Sequence, residues 1–219
     1  MKFAKTLIAT AALAASLGAS AQVVGSQGGG TGNFLFLSGP TTNCATCLLT
    51  TAAGGGTTVA SITGGSTLSS DTFFADRDAF NTNGGVNGGN FLAAGPFSTQ
   101  PATLTLTNAV SYISFLWGSP DSYNVLTVNS SGGGSQTFTA ATLGLPGDGN
   151  QNFSRYVQFV ANAGVTISSL VFNNIPAVNA FETANFSVVR AVPEPETYAL
   201  MLAGLGALGF MNRRRKARS

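Results

Sequence analysis

Two cysteines stand three residues apart, Cys44 and Cys47, in the stretch TTNCATCLLT. In a cytosolic protein such a pair could be redox-active or form half a zinc site. A tetrahedral zinc site needs further Cys or His ligands, and this chain has no third cysteine and no histidine. The flanking residues do not read as the strand-to-helix entry of a thioredoxin-like domain. The plainer expectation is a structural disulfide closing a short loop, with stabilisation toward the low end of the usual range. Unpaired thiols or a bond to another chain are the alternatives.

Carboxylates form the second constellation. Asp76 and Asp78 lie two apart with Asp71 nearby, and Asp148 precedes Asn150 in LPGDGN. Oxygen ligands of this type suit Ca²⁺, so Asp76, Asp78 and Asp148 are candidate ligands. Neither stretch matches an EF-hand loop, and solvated loop acids or turn formers is the simpler reading. No cofactor is expected. Glycoside hydrolysis needs two carboxyls flanking a cleft. Between residues 22 and 192 there are six acids, Glu182 being the only glutamate, and nothing singles out a pair. A His-dependent triad is impossible without histidine. The chain is therefore expected not to be an enzyme.

Aromatic residues form the third. Tyr112, Trp117 and Tyr123 cluster around WGSPDSYN. They are a candidate glycan platform if exposed and core if they lie on alternating inward positions.

The elements that must position these residues read as short strands. Candidates are 34–38, 57–63, 102–107, 110–117, 123–129, 136–140, 155–161, 165–173 and 181–190. In ATLTLT, at 102–107, Leu104 and Leu106 face one way and the threonines the other. VTISSLVF, at 165–172, sets Val165, Ile167 and Val171 on one face. Period two and frequent turn residues predict an all-β, antiparallel β-sandwich or jelly-roll-like single domain. Pro120-Asp121 suits a turn between two of the strands. Residues 71–81 could form a turn or two of helix with Asp71 as N-cap. Residues 25–33, GSQGGGTGN, read as a flexible linker or loose loop.

The two ends have a different composition. Lys2 and Lys5, an apolar run at 7–17, and Ala19-Ser20-Ala21 make a bacterial-style secretory signal peptide, with cleavage expected after Ala21. Signal peptidase and the Sec machinery are then partners. Residues 197–211, TYALMLAGLGALGFM, carry no charge. As a helix they reach about 22 Å, short of the ~30 Å hydrocarbon core, though flanking residues can extend the span. Arg213, Arg214, Arg215 and Lys216 follow and hold that end in the cytoplasm. Pro193 and Pro195 keep the preceding segment extended, as a membrane-embedded processing enzyme would need. Without its two ends the chain keeps only Arg77, Arg155 and Arg190 against six acids, a net charge of −3. That excludes nucleic-acid binding, which needs clustered Lys and Arg.

Val192-Pro193-Glu194-Pro195-Glu196, the apolar run and the terminal arginines, taken in order, resemble a PEP-CTERM sorting signal. The resemblance implies recognition by exosortase in a Gram-negative bacterium that makes exopolysaccharide. It also implies transient inner-membrane anchoring, then release to the cell surface or extracellular matrix. FLWGSPDSYNVLTV at 115–128 and NAFETANFSVV at 179–189 are similar to a subgroup of exosortase-dependent surface proteins without known enzyme activity. Relatives there tend to carry Asp-Asn where this chain has Ala184-Asn185. The expected organisation is a signal peptide at 1–21, a Gly-rich lead-in at 22–33, a β-domain at 34–191 and a sorting signal at 192–219. Within that signal the membrane helix spans about 197–211 and the basic tail 213–218. A non-catalytic matrix protein associated with exopolysaccharide is the leading function. A carbohydrate-binding module and a secreted polysaccharide hydrolase are the alternatives.

Overall fold

The computed structural model describes residues 22–30, 33–41, 43–69, 85–96, 98–178, 180–191, 201–206 and 208. The predicted signal peptide, Asp71, Asp76, Asp78, the Pro193–Pro195 motif and the basic tail lie outside them. Twelve strands run through the described body: β1 (Val23–Gln27), β2 (Phe36–Ser38), β3 (Cys47–Thr50), β4 (Thr58–Thr63), β5 (Ser66–Ser69), β6 (Asn90–Ala94), β7 (Ala102–Gly118), β8 (Asn124–Ser130), β9 (Ser135–Phe138), β10 (Ser154–Ala161), β11 (Ile167–Asn174) and β12 (Phe181–Arg190). Every pairing between them is antiparallel. The all-β class holds.

Strand β7 joins two ladders. Its first half pairs β4 and β11, in the order β2-β3-β4-β7-β11-β8-β9. Its second half pairs β10 and β12, in the order β1-β10-β7-β12-β6-β5. The sequence suggests two strands here, 102–107 and 110–117; the chain makes one of 17 residues. The register against β11 slips between Ile167 and Ser169, and against β12 between Val189 and Arg190. The slips accompany a change of phase. Ala102, Leu104 and Leu106 face the core in the first half, and Ile113, Phe115 and Trp117 in the second. An irregularity of this kind bends a strand and re-aims its side chains, which lets one strand serve both ladders.

The slip also corrects the expected face of β11. Ile167 is buried, but Leu170 and Phe172 follow it, while Val165 and Val171 are only half-buried. Strands β1, β3, β5 and β6 carry no clear period two and were not anticipated. β1 lies within the segment expected to be a loose lead-in. It pairs along β10 from Val23↔Ala161 to Gln27↔Val157. The glycines after it are packed: Gly28 donates its N–H to Tyr156 O at 2.9 Å. A Cβ on Gly29 would stand 2.6 Å from that of Ser114, and its φ of +108° already favours glycine.

Side chains from both ladders share one apolar cluster. Phe115 contacts Phe159 at 5.8 Å, Phe186 at 5.6 Å and, from the other ladder, Phe172 edge-on at 5.5 Å. Leu104, Leu126, Val128 and Leu170 complete the opposing side. Each large side chain buried this way contributes roughly 1.5–3 kcal/mol. A smaller cluster of Leu68, Phe91, Ala93, Leu116 and Ala184 lies on the reverse face of the second ladder.

Candidate functional site

The aromatic trio separates in space. Trp117 has no exposed surface; it stacks on Phe181 with ring centroids 4.4 Å apart. Trp117 therefore takes the core reading of the two its sequence left open, and it does not form a platform with the two tyrosines. The cause is alternation along β7: Trp117 faces the shared core, and Tyr112 projects from the opposite face. Tyr112 is half-buried and hydrogen-bonds to Gln158 Oε1 at 3.3 Å. Tyr123 sits in a turn closed by Asn124 N–H donating to Asp121 O at 3.1 Å. That turn runs two residues further along than the Pro120-Asp121 turn expected from sequence. It also connects different ladders, since β8 pairs β9 and β11 rather than β7.

A buried polar network surrounds the Trp117 end of the core. Trp117 Nε1 donates to Asn124 Oδ1 at 3.4 Å, which also accepts the Asp121 N–H at 2.7 Å. Asn124 Nδ2 donates to Asn174 Oδ1 at 2.7 Å, and Asn174 Nδ2 donates to Ala94 O at 2.6 Å. The Ser119 hydroxyl donates to Glu182 Oε2 at 2.7 Å. Burying amides is tolerable only when their donors and acceptors are met, and this network meets them with residues from β7, β8, β11, β12 and β6. The two stretches that carry the family resemblance are thus neighbours here, Thr183 pairing with Trp117 and Glu182 with Gly118.

Asp148 is exposed and pairs with Asp121 through an isolated antiparallel bridge. Its Oδ1 accepts the Asn150 N–H at 3.2 Å, the Asx turn typical of a loop aspartate. Burial raises the Asp121 pKa, a hydrogen bond with Tyr123 lowers it, and the Asp148 charge raises it further. Among the described residues no three His, Cys, Asp or Glu side chains gather where a metal ion could be held. Cys44 and Cys47 are bonded to each other, with Cα atoms 5.2 Å apart, and both are fully buried. The Thr67 hydroxyl lies 3.3 Å from Cys47 Sγ. A Cβ on Gly39 would fall 2.1 Å from the same sulfur, so a side chain there would displace the bridge.

Sequence reasoning did not find the concave surface beside Phe34. Two clefts flank Phe34. One, of about 590 Å³, is lined by Gly30, Phe34, Gly85, Asn87, Tyr156 and Asn185 among others. The other, of about 470 Å³, is lined by Asn33, Phe34, Phe36, Asn87 and Arg190 among others. Phe34 and Tyr156 stack nearly parallel, 8° apart, with centroids at 5.8 Å. Asn185 organises the first cleft. It sits at φ +53° where β12 slips register against β7. Its Oδ1 accepts the Asn87 N–H at 2.7 Å, and its Nδ2 donates to Gly85 O and to Tyr156 Oη, both at 2.9 Å. Burial raises the Tyr156 pKa, and the bond with Asn185 lowers it. The available signal was the residue type, since asparagine adopts left-handed backbone more readily than other non-glycine residues.

Asn185→Ala should cost about 2–4 kcal/mol, from the lost hydrogen bonds plus the left-handed backbone penalty. Asn185→Gly should be milder by about 1 kcal/mol, because the backbone penalty vanishes. Urea unfolding of the two variants checks the order.

At the C-terminal end, residues 201–206 and 208 are helical, and Met201, Leu202, Leu205 and Leu208 are exposed. Among the described residues no helix is long and apolar enough to cross a membrane; both ends of the expected span at 197–211 fall outside them. The fold and this tail define an all-β body followed by a separate C-terminal signal. Residues 191–216 match the family model of the PEP-CTERM protein-sorting motif, so the chain carries that sorting signal. The motif marks an exported protein directed to the cell surface and implies exosortase as its processing partner. No curated protein and no solved structure matches the chain.

Proposed function

We propose that this is a non-catalytic surface or extracellular-matrix protein, exported through Sec and freed of its signal peptide after Ala21. A helix over 197–211 then holds it briefly in the inner membrane until exosortase acts at Pro193-Glu194-Pro195. The sorting-motif match at 191–216 carries this reading. The body is a two-layer β-sandwich whose layers are the ladders sharing β7. Its task is to be a stable exported module associated with exopolysaccharide. Among the described residues no carboxylate lines either cleft beside Phe34, and Glu182 is buried against Ser119; the burial of Glu182 supports a role without hydrolysis. Fractionation of a strain lacking exosortase tests the route. The uncut chain should accumulate in the membrane fraction, and normal surface display there would refute it.

The stacked Phe34–Tyr156 pair favours a second reading, a carbohydrate-binding module. An aromatic face bordering two clefts, with amide groups around it, suits a sugar ring better than Trp117 does. Phe34→Ala should lower retention on the producing strain's own polysaccharide by about tenfold, equivalent to ~1.4 kcal/mol. Unchanged retention in affinity electrophoresis would remove the Phe34 clefts as the binding place.

A further inference from the structure

Three of the exposed large apolar residues of the β-body stand in one row. Val24, Val160, Tyr112 and Val189 are direct cross-strand partners on β1, β10, β7 and β12: Val24↔Val160, Val160↔Tyr112 and Tyr112↔Val189. They point away from the shared core. The valines are 51%, 42% and 54% exposed. Across four strands the row is about 14 Å wide. The next row on the same face is polar, Ser26, Gln158, Ser114 and Ser187, so the apolar band is narrow and borders the end of the ladder.

Charge is arranged along the same axis. The described carboxylates, Asp121, Asp148 and Glu182, cluster toward the Gly118 end of β7. Arg190 pairs with Val110 beside the apolar row, eight residues along β12 from Glu182, or about 26 Å at strand rise. Arg190 lies at the same end of the ladder but on the face of Val110 and the Phe34 cleft, not on the face of the row. Chain length fixes what lies near it. Only six residues separate Arg190 from Thr197, where the apolar run of the tail begins; fully extended, the seven steps span at most about 24 Å.

We propose that the Val24–Val160–Tyr112–Val189 row is a lipid-facing surface: while the tail is anchored, the body rests this row at the interface of the bilayer. The inference rests on the reading of residues 197–211 as a membrane anchor. Tethering keeps the row close to the lipid, so a shallow contact suffices to populate the docked state. Valines enter the headgroup–acyl boundary, and tyrosine suits that depth. Docking would also limit the distance between the Pro-Glu-Pro segment and the bilayer.

The test uses the signal-cleaved chain, with its tail, in phosphatidylglycerol-containing nanodiscs without exosortase. A fluorophore is placed at Val160→Cys, at Thr105→Cys on exposed β7 surface in the first ladder, or at Leu205→Cys in the tail. The native cysteines are bonded to each other and take no label. Nitroxide lipids should quench the Leu205 label and should quench the Val160 label at least about threefold more than the Thr105 label. Adding Val24→Ser and Val189→Ser should erase that difference while leaving the Leu205 quenching unchanged. A quenched Leu205 label with equal signals at 160 and 105 overturns the docking surface and leaves the anchor standing. An unquenched Leu205 label overturns the anchor, and the docking surface falls with it. Concentration-dependent shielding of the Val160 label without lipid would assign the row to a second copy instead and overturn the proposal.

Discussion

Replacing Pro193-Glu194-Pro195 by three alanines should reduce the surface-delivered form by about tenfold or more, each tenfold being ~1.4 kcal/mol of lost recognition. The full-length chain should accumulate in the inner membrane. Proline fixes its own φ and disfavours helix at the residue before it, so a Pro-Glu-Pro sequence opposes helix where three alanines favour it. A processing enzyme reads extended backbone through its free N–H and C=O groups, and alanines would let helix consume them. The glutamate adds a charge that keeps the segment in water beside the membrane. Immunoblotting of membrane and surface fractions measures the ratio. Replacing Glu194 alone should give a smaller loss, because both prolines and their opposition to helix remain. Changing Arg213, Arg214 and Arg215 to serine should act differently. It weakens the cytoplasmic stop, so the tail should appear on the outer side uncut.

Trp117→Ala should be the most damaging single change in the body, at about 3–5 kcal/mol. Against a typical domain stability of about 5–15 kcal/mol, that is a large share of the total. Two effects add. The stack on Phe181 is lost from a closed core, and Asn124 Oδ1 loses its buried indole donor. Trp117→Phe separates them. It preserves most of the packing and removes the N–H, so it should cost about 1–3 kcal/mol. Urea unfolding followed by Phe and Tyr signals compares the variants. A Trp117→Ala variant as stable as the parent would mean that Trp117 is not the core residue its burial indicates.

Trp117 also shows where sequence reasoning reached its limit. Its strand was legible, because apolar and β-branched residues run from 110 to 117. Its face was not. Outward and inward positions on β7 exchange between Leu106 and Ile113, and a fixed period of two cannot follow that exchange. The same failure moved the expected inward face of β11 from Leu170 and Phe172 to Val165 and Val171. β1 was hidden for another reason. Its Gly25 and following glycines look like linker chemistry, yet they are short because Phe138, Ser114 and Tyr156 crowd them. The Phe34 clefts depend on Asn185, Asn87 and Tyr156, which lie up to 98 residues apart and meet only through register. The sorting tail was legible because its signal is linear: prolines, an apolar run and arginines follow in order along the chain.

Intact-mass spectrometry of the surface-delivered protein tests the central claim most directly. The account predicts a chain that starts at Gln22, ends near Pro193-Glu194-Pro195 and lacks Arg213-Arg214-Arg215-Lys216. A surface form that retains the apolar run and those arginines would contradict it.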